Sequence, residues 1–102
     1  MNTPTVPTIA NVILAQLGGA GRLTAMIGAR DFLDCGNALA FRFTARSLRA
    51  INRIRVELAP DDTYTVTFYR GRLAIVVQTI TGVYADGLRE TIEHATGLYL
   101  SL

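Results

Sequence analysis

Three segments in the middle of the chain alternate between apolar and polar residues, and this alternation restricts the possible folds more than any other feature. The segments are ALAFRFTA (38–45), RIRVELA (53–59) and TYTVTFY (63–69). Because successive side chains of a strand point to opposite faces, each segment predicts a half-buried strand. The residues expected to face the core are Leu39, Phe41, Phe43, Ile54, Val56, Leu58, Tyr64, Val66 and Phe68.

Helical spacing predicts one helix before these strands and one after them. Thr8 is a suitable N-cap for a helix over residues 8–17, and the Gly-Gly-Ala-Gly segment at 18–21 ends it. A second apolar stripe ends at Gly97 and consists of Tyr84, Leu88, Ile92 and Ala95. The closing segment LYLSL (98–102) is apolar enough to be held against the domain.

Three further segments are assigned with less help from alternation. RLTAMIGA (22–29) is predicted to be a strand, and RDFLDCGN (30–37) is predicted to be a loop because it is rich in turn formers. LAIVVQTI (73–80) is apolar on both faces, which predicts a strand at the centre of the sheet or beneath the helices.

The predicted fold is a two-layer α+β domain spanning residues 1–102. A chain of 102 residues with 50% apolar composition suits one compact domain with one core. Short turns at 60–62 and 70–72 predict an antiparallel sheet of four to five strands, with the N-terminal and C-terminal helices on one face. The other face is expected to display Thr24, Arg42, Thr44, Arg53, Arg55, Thr63, Thr65 and Thr67.

Blocks along nearly the whole chain resemble a family of small proteins encoded in phage and prophage genomes. The blocks are LAQLGGAGRLTAMIGARDF, GNALAFRF, RVELAPDDTYTVTF and GVYADGLRETIEHATGLYLSL, and the last of them is the most specific. The resemblance implies a phage-type setting. It implies no catalytic or binding residue, because it brings no assigned activity with it.

The side chains that most catalysis needs are too few in this chain. It contains one histidine, His94, and one cysteine, Cys35, and its serines lie outside any nucleophile-elbow pattern. Glu90 and His94 share a helix face, but two ligands do not make a metal site. We therefore expect a non-enzymatic protein with no catalytic residue, no cofactor and no metal.

The termini and the cysteine content predict a cytoplasmic protein without membrane contact. The N-terminal apolar run has no basic segment before it, and it is far shorter than the about 20 residues that a membrane-spanning helix needs. A single cysteine cannot form an internal disulfide, so nothing indicates an oxidising compartment.

The cationic residues are all arginines, and half of them fall in the segment RFTARSLRAINRIR (42–55). Guanidinium groups bind phosphates and carboxylates in a bidentate manner, although arginine also replaces lysine in GC-rich genomes for reasons of codon use. A short helical turn over 46–52 would place Leu48 and Ile51 inward and a stripe of Arg46, Arg49 and Arg53 along one edge. The candidate nucleic-acid-binding residues are Arg42, Arg46, Arg49, Arg53, Arg55, Arg70 and Arg72.

Two functions remain open at this point. The first is a protein-interaction or homo-oligomeric assembly module, whose partner is a second copy or a phage or host protein. An uncovered sheet face, edge strands and an acidic C-terminal helix opposite a basic middle favour this function. The alternative is a nucleic-acid-binding protein of low specificity, which would need several arginines to converge.

Overall fold

Five antiparallel strands form one sheet, and three helices pack against one of its faces. The computed structural model describes residues 8–100, so the last two residues of the closing segment 98–102 lie outside the described part. The helices are α1 (Ile9–Gln16), α2 (Ala20–Ile27) and α3 (Leu88–Thr96). The strands are β1 (Arg30–Asp34), β2 (Ala38–Arg42), β3 (Ile51–Leu58), β4 (Tyr64–Arg70) and β5 (Ile75–Val83). Short 3-10 turns cover Leu48–Ala50 and Ala85–Gly87.

The strands follow one another across the sheet in chain order, from β1 to β5. This arrangement confirms the α+β class, the antiparallel sheet and the terminal positions of the helices. Each strand pairs only with its sequence neighbours, and the chain connects them through the short segments 35–37, 59–63 and 71–74 and the longer segment 43–50.

Two rows of apolar side chains cross the three central strands and form the floor of the core. Leu39 lies opposite Val56, which lies opposite Val66, and the parallel row consists of Phe41, Ile54 and Phe68. All six are buried in one cluster that also contains residues of each helix. The alternation therefore predicts the inward face of these strands correctly. We call the opposite face of the sheet, which carries no helix, the outer face.

Helix α1 begins where the sequence predicts. The hydroxyl oxygen of Thr8 accepts a hydrogen bond from the backbone N–H of Asn11 at 3.1 Å, which is the geometry of an N-cap. Ile13 and Leu17 are fully buried on the side of the helix that faces the sheet. The first helix is thus fixed by its cap and by its apolar stripe together.

The prediction of a strand over residues 22–29 is wrong, because this segment forms α2. Leu23 and Ile27 are buried, and a separation of four residues places two side chains on one face in both a strand and a helix. Burial at the intervening positions distinguishes the two structures. Met26, three residues after Leu23, is half-buried, as it is on a helix, whereas Ala25, which a strand would turn to the same side as Leu23, is exposed. Thr24 accordingly lies on a helix and not on the outer face of the sheet.

The predicted loop over residues 30–37 is also wrong in its first half, since Arg30–Asp34 is strand β1. A register shift between Arg30 and Leu33 interrupts its pairing with β2, and Asp31 has a positive φ of 58°. This β-bulge removes the alternation that would have revealed the strand in the sequence. Only the segment 35–37 is a turn.

Strand β5 lies at an edge of the sheet, which contradicts the predicted central position. Its apolar residues are buried only in part, because Val77 and Ile80 pack against the core whereas Ile75 and Val76 are 51% and 56% exposed. The strand is the last of the meander, and the chain then turns back as α3 instead of adding another strand. Thr63, expected on the outer face, is instead buried beside the turn before β4.

The C-terminal helix agrees with the prediction except at its start. Leu88, Ile92 and Ala95 are buried, whereas Tyr84 precedes the helix and is 69% exposed. Gly97 ends the helix with a φ of 73°, as expected for a C-terminal glycine. The chain beyond it is held, since Leu100 is fully buried and its N–H donates to Glu93 Oε2 at 2.8 Å.

Gly28 ends α2 in a place where a larger residue does not fit. It has a φ of 69°, and a Cβ atom at this position would lie 2.1 Å from the hydroxyl oxygen of Thr44. The backbone N–H groups of Thr44 and Ala45 donate to the Ile27 carbonyl, so this segment is fixed against the end of the helix.

We expect Gly28→Ala to lower the free energy of unfolding by more than the about 1–2 kcal/mol that left-handed backbone costs a residue with a Cβ. The added methyl group must also displace Thr44. Gly36→Ala is the matched control, because Gly36 has a φ of 84° and no atom lies within 4 Å of the place that a Cβ would occupy. Urea denaturation of both variants measures the difference, and equal losses would show that the contact with Thr44 is unimportant.

The turn between β3 and β4 is closed by the side chain of Asp61. Its Oδ1 accepts hydrogen bonds from the Thr63 hydroxyl at 2.7 Å and from the Thr63 N–H at 3.1 Å. The hydroxyl bond first, and then the N–H bond, lower the pKa of Asp61 below its ordinary value of 3.8.

A depressed carboxylate pKa stabilises the folded state above the ordinary pKa, and the stabilisation is lost as the pH falls through the lower folded value. Asp61→Asn should therefore melt at a lower temperature than the parent protein at pH 7, and the difference should shrink steadily below about pH 4. Asp62→Asn removes the same charge from the same turn as a control. Thermal melts between pH 2 and pH 7 test this, and a constant difference across that range would contradict it.

Candidate functional site

The outer face of the sheet carries a row of arginines from three adjacent strands. Arg30 of β1 lies directly opposite Arg42 of β2, which lies directly opposite Arg53 of β3. Side chains that face each other across strands have Cβ atoms about 4.5–5.5 Å apart, and like charges at this separation destabilise a sheet. Tyr69 of β4 continues the row beside Arg53.

Part of this row borders a cavity of about 220 Å³ at the end of the sheet near the β4–β5 turn. We call it the cationic cavity; its lining residues are Arg42, Asn52, Arg53, Gly71 and Arg72. Three arginines and one asparagine are therefore among its lining residues, and none of the described lining residues is acidic. Strands β2 and β3 supply two of the arginines, and the turn supplies the third.

Two arginines of the outer face form ion pairs with carboxylates. Arg42 Nη1 lies 3.5 Å from Asp31 Oδ2, and about half of each side chain is exposed. Arg55 donates a hydrogen bond to Glu57, and this bond is the main reason why the pKa of Arg55 is raised. Asn37 also donates to Glu57, at 3.4 Å. Exposed pairs of the first kind contribute at most about 1 kcal/mol, so Arg42 stays available to another anion.

The structure does not bring all seven candidate arginines together. Arg42, Arg53 and Arg72 meet at the cationic cavity, and Arg55 lies on the same face in the next row. Arg49 instead hydrogen-bonds Gln78 of β5, and Arg70 lies opposite the inward-facing Ile51 at the end of β4. Arg46 is exposed in the segment before the 48–50 turn, where it borders a separate cavity.

The predicted stripe of Arg46, Arg49 and Arg53 is therefore wrong. The helical turn is only three residues long, and Arg49 and Ala50 have positive φ values of 55° and 57°. Strand β3 begins at Ile51, so Arg53 follows the two-residue period of a strand and not the helical period. Ile51 is buried as expected, whereas Leu48 is 55% exposed.

Two residues of this surface do not follow from sequence reasoning. The sequence places Arg30 in a loop, and only the bulged pairing of β1 with β2 brings it into the row. Asn52 lies at a register shift between β3 and β4, where the side-chain direction does not follow from alternation.

The edge formed by β5 is the second distinctive surface. The strand has nine residues and no charged side chain, and the uncharged stretch extends from residue 73 to residue 85. Leu73 is 86% exposed, and Ile75 and Val76 are more than half exposed. Natural sheets usually protect their edges with charges, prolines or bulges. Among the described residues, the β5 edge is protected by two register shifts in its pairing with β4.

A groove of about 650 Å³ lies on the helix side of β5, between this strand, the 48–50 turn and α3. Glu90 and His94 line it one helical turn apart, as the sequence predicts, together with Arg49 and Gln78. Within residues 8–100, no group of three or more histidine, cysteine, aspartate or glutamate side chains is placed to hold a metal ion. The groove therefore brings polar groups together but has no geometry typical of a metal centre.

Comparisons of the chain with protein-family models, curated proteins and solved structures find no match. The resemblance to phage-encoded proteins, the absence of enzymatic activity and the cytoplasmic location thus remain predictions. None of the helices in the described part of the chain is long and apolar enough to cross a bilayer.

Proposed function

We propose that this protein is a non-enzymatic assembly module in which two copies pair along their β5 edges. The observation that carries the proposal is the uncharged nine-residue edge strand with large apolar side chains exposed beside it. Such an edge offers unpaired backbone N–H and C=O groups to another strand.

The partner that suits this edge best is a second copy of the same strand. Antiparallel pairing of identical strands around a two-fold axis satisfies both edges at once and closes the assembly as a dimer. The absence of charge allows the two copies to approach without repulsion. The opposite edge, β1, carries Arg30, Asp31 and Asp34 and a bulge, so it is protected against the same pairing.

The regular part of the edge determines where the pairing is centred. Register shifts interrupt the pairing of β4 with β5 on both sides of Gln78, Thr79 and Ile80, which pair regularly with Phe68, Thr67 and Val66. Bulges bend a strand, so a second copy would pair mainly with this straight stretch. Thr79 lies within this stretch and Val76 lies beside it, and both side chains are exposed on the outer face.

Such pairing has a geometric consequence for the rest of the molecule. The two-fold axis of an antiparallel strand pair is perpendicular to the sheet, so both copies keep their helices on one side. The result is a sheet of ten strands whose whole outer face lies on the other side.

We expect the parent protein to show a concentration-dependent mass approaching twice the 11.1 kDa of one chain. The double variant Val76→Lys/Thr79→Lys should remain a monomer, because lysines on the edge place like charges opposite each other across the two-fold axis. Sedimentation equilibrium or light scattering over a range of concentrations measures this.

Leu33→Lys is the matched control, since Leu33 is 59% exposed on the opposite edge strand and Val76 is 56% exposed. It should associate like the parent protein. A monomer at the highest concentrations would refute self-pairing, and equal losses in both variants would show that β5 is not the interface. Hydrogen exchange that slows at β5 amides on association identifies strand pairing as the contact.

A further inference from the structure

We infer that the cationic cavity is a binding site for a backbone phosphate of single-stranded nucleic acid. None of its lining residues belongs to β5, so the inference does not depend on self-association. If self-association along β5 is refuted, phosphate binding at the cationic cavity can still be tested, and the reverse also holds.

The arginine row of the outer face carries an electrostatic cost. Arg42 and Arg53 face each other directly on adjacent strands, and Arg72 from the turn borders the same cavity. Arg30 adds a third cation to the row, directly opposite Arg42. Three like charges in consecutive cross-strand positions repel one another. A bound anion would convert this repulsion into attraction.

The potential donors at the cavity come from three different elements of the fold. Arginines from β2, β3 and the β4–β5 turn line the cavity together with Asn52, whose side-chain amide carries two N–H donors. Gly71 has no side chain to fill the space between them. A backbone phosphate carries two anionic oxygens and two ester oxygens around a tetrahedral phosphorus, whereas the two oxygens of a carboxylate lie in one plane with their carbon. Donors that converge from three elements are therefore matched better by phosphate.

An aromatic residue lies beside the arginines of the cavity. Tyr69 continues the arginine row next to Arg53 and is half-buried on the outer face. Proteins that bind single strands combine a cationic track for phosphates with aromatic side chains on which bases stack. A base attached to the bound phosphate would lie over Tyr69, which is why we assign the ligand to a single strand and not to a duplex.

The ion pair of Arg42 with Asp31 is the main competing interaction. At 3.5 Å and about half exposed, it is an ordinary surface pair that a doubly hydrogen-bonded phosphate oxygen can displace or share. Arg53 and Arg72 form no ion pair within the described part of the chain. These two arginines should therefore dominate the binding.

The test is a fluorescence-anisotropy titration of the full chain with labelled oligothymidylate at several salt concentrations. The one phosphate that the cavity neutralises predicts that log K falls with log salt with a slope of about −0.7. Arg72→Ala lies in an exposed turn and should weaken binding by about tenfold or more. Arg53→Lys keeps the charge but loses the bidentate geometry, and should weaken binding with little change in slope.

The matched control is Arg22→Ala, which removes the same charge from an exposed position on helix α2. It should bind as the parent protein does. Equal weakening by Arg22→Ala and Arg72→Ala would overturn the site, since the effect would then follow net charge alone. Tyr69→Leu should weaken binding by roughly fivefold or more, and Tyr69→Phe should keep it.

Other ligands are separated by parallel titrations. If poly-glutamate of the same charge binds as tightly as the oligonucleotide, the ligand is an acidic protein and the inference is refuted. A duplex that binds equally well would refute the single-strand assignment. Inorganic phosphate that displaces the oligonucleotide at equal molarity would identify a site for free phosphate instead. No binding at low salt would exclude the site altogether.

Discussion

The register of the three central strands is the constraint on which the rest of the structure depends. The rows Leu39–Val56–Val66 and Phe41–Ile54–Phe68 bury six apolar side chains beneath the helices. A slip of one residue would turn each row to solvent, so burial fixes the pairing strongly. The same register places the arginines, because Arg42 and Arg53 lie one residue beyond the inner rows and point the other way. Core packing and surface charge are therefore set by one alignment.

The sequence predicts the parts of this fold in which local pattern and burial agree. Strands β2, β3 and β4 alternate and are half-buried, and α1 and α3 have terminal signals and apolar stripes, so all five elements can be located from sequence. The failures occur where one pattern fits two structures. Leu23 and Ile27 are four residues apart, which suits a helix and a strand equally, and the bulge in β1 hides its alternation.

The candidate site also has residues that local sequence pattern predicts and residues that it does not. The outward direction of Arg42, Arg53 and Arg55 follows from strand alternation alone. The contribution of Arg72, Arg30 and Asn52 depends on which turns and edges meet in space, and no local pattern contains that information. Arg49 illustrates the reverse case, because its left-handed backbone and its bond to Gln78 take it to the helix side of the sheet. The helical spacing predicted for Arg46, Arg49 and Arg53 is therefore absent.

The meander order of the strands also determines how the chain can fold as it is synthesised. Each strand from β2 onward finds its partner immediately before it in the chain, so every hairpin closes over a short loop. The cover of the core forms in two parts, since α1 and α2 precede the sheet in the chain, whereas Leu88, Ile92 and Leu100 follow all five strands. Until α3 packs, part of the apolar rows is exposed together with the β5 edge. Association of nascent chains through the apolar rows is thus a hazard that α3 removes, whereas the β5 edge stays exposed in the folded domain.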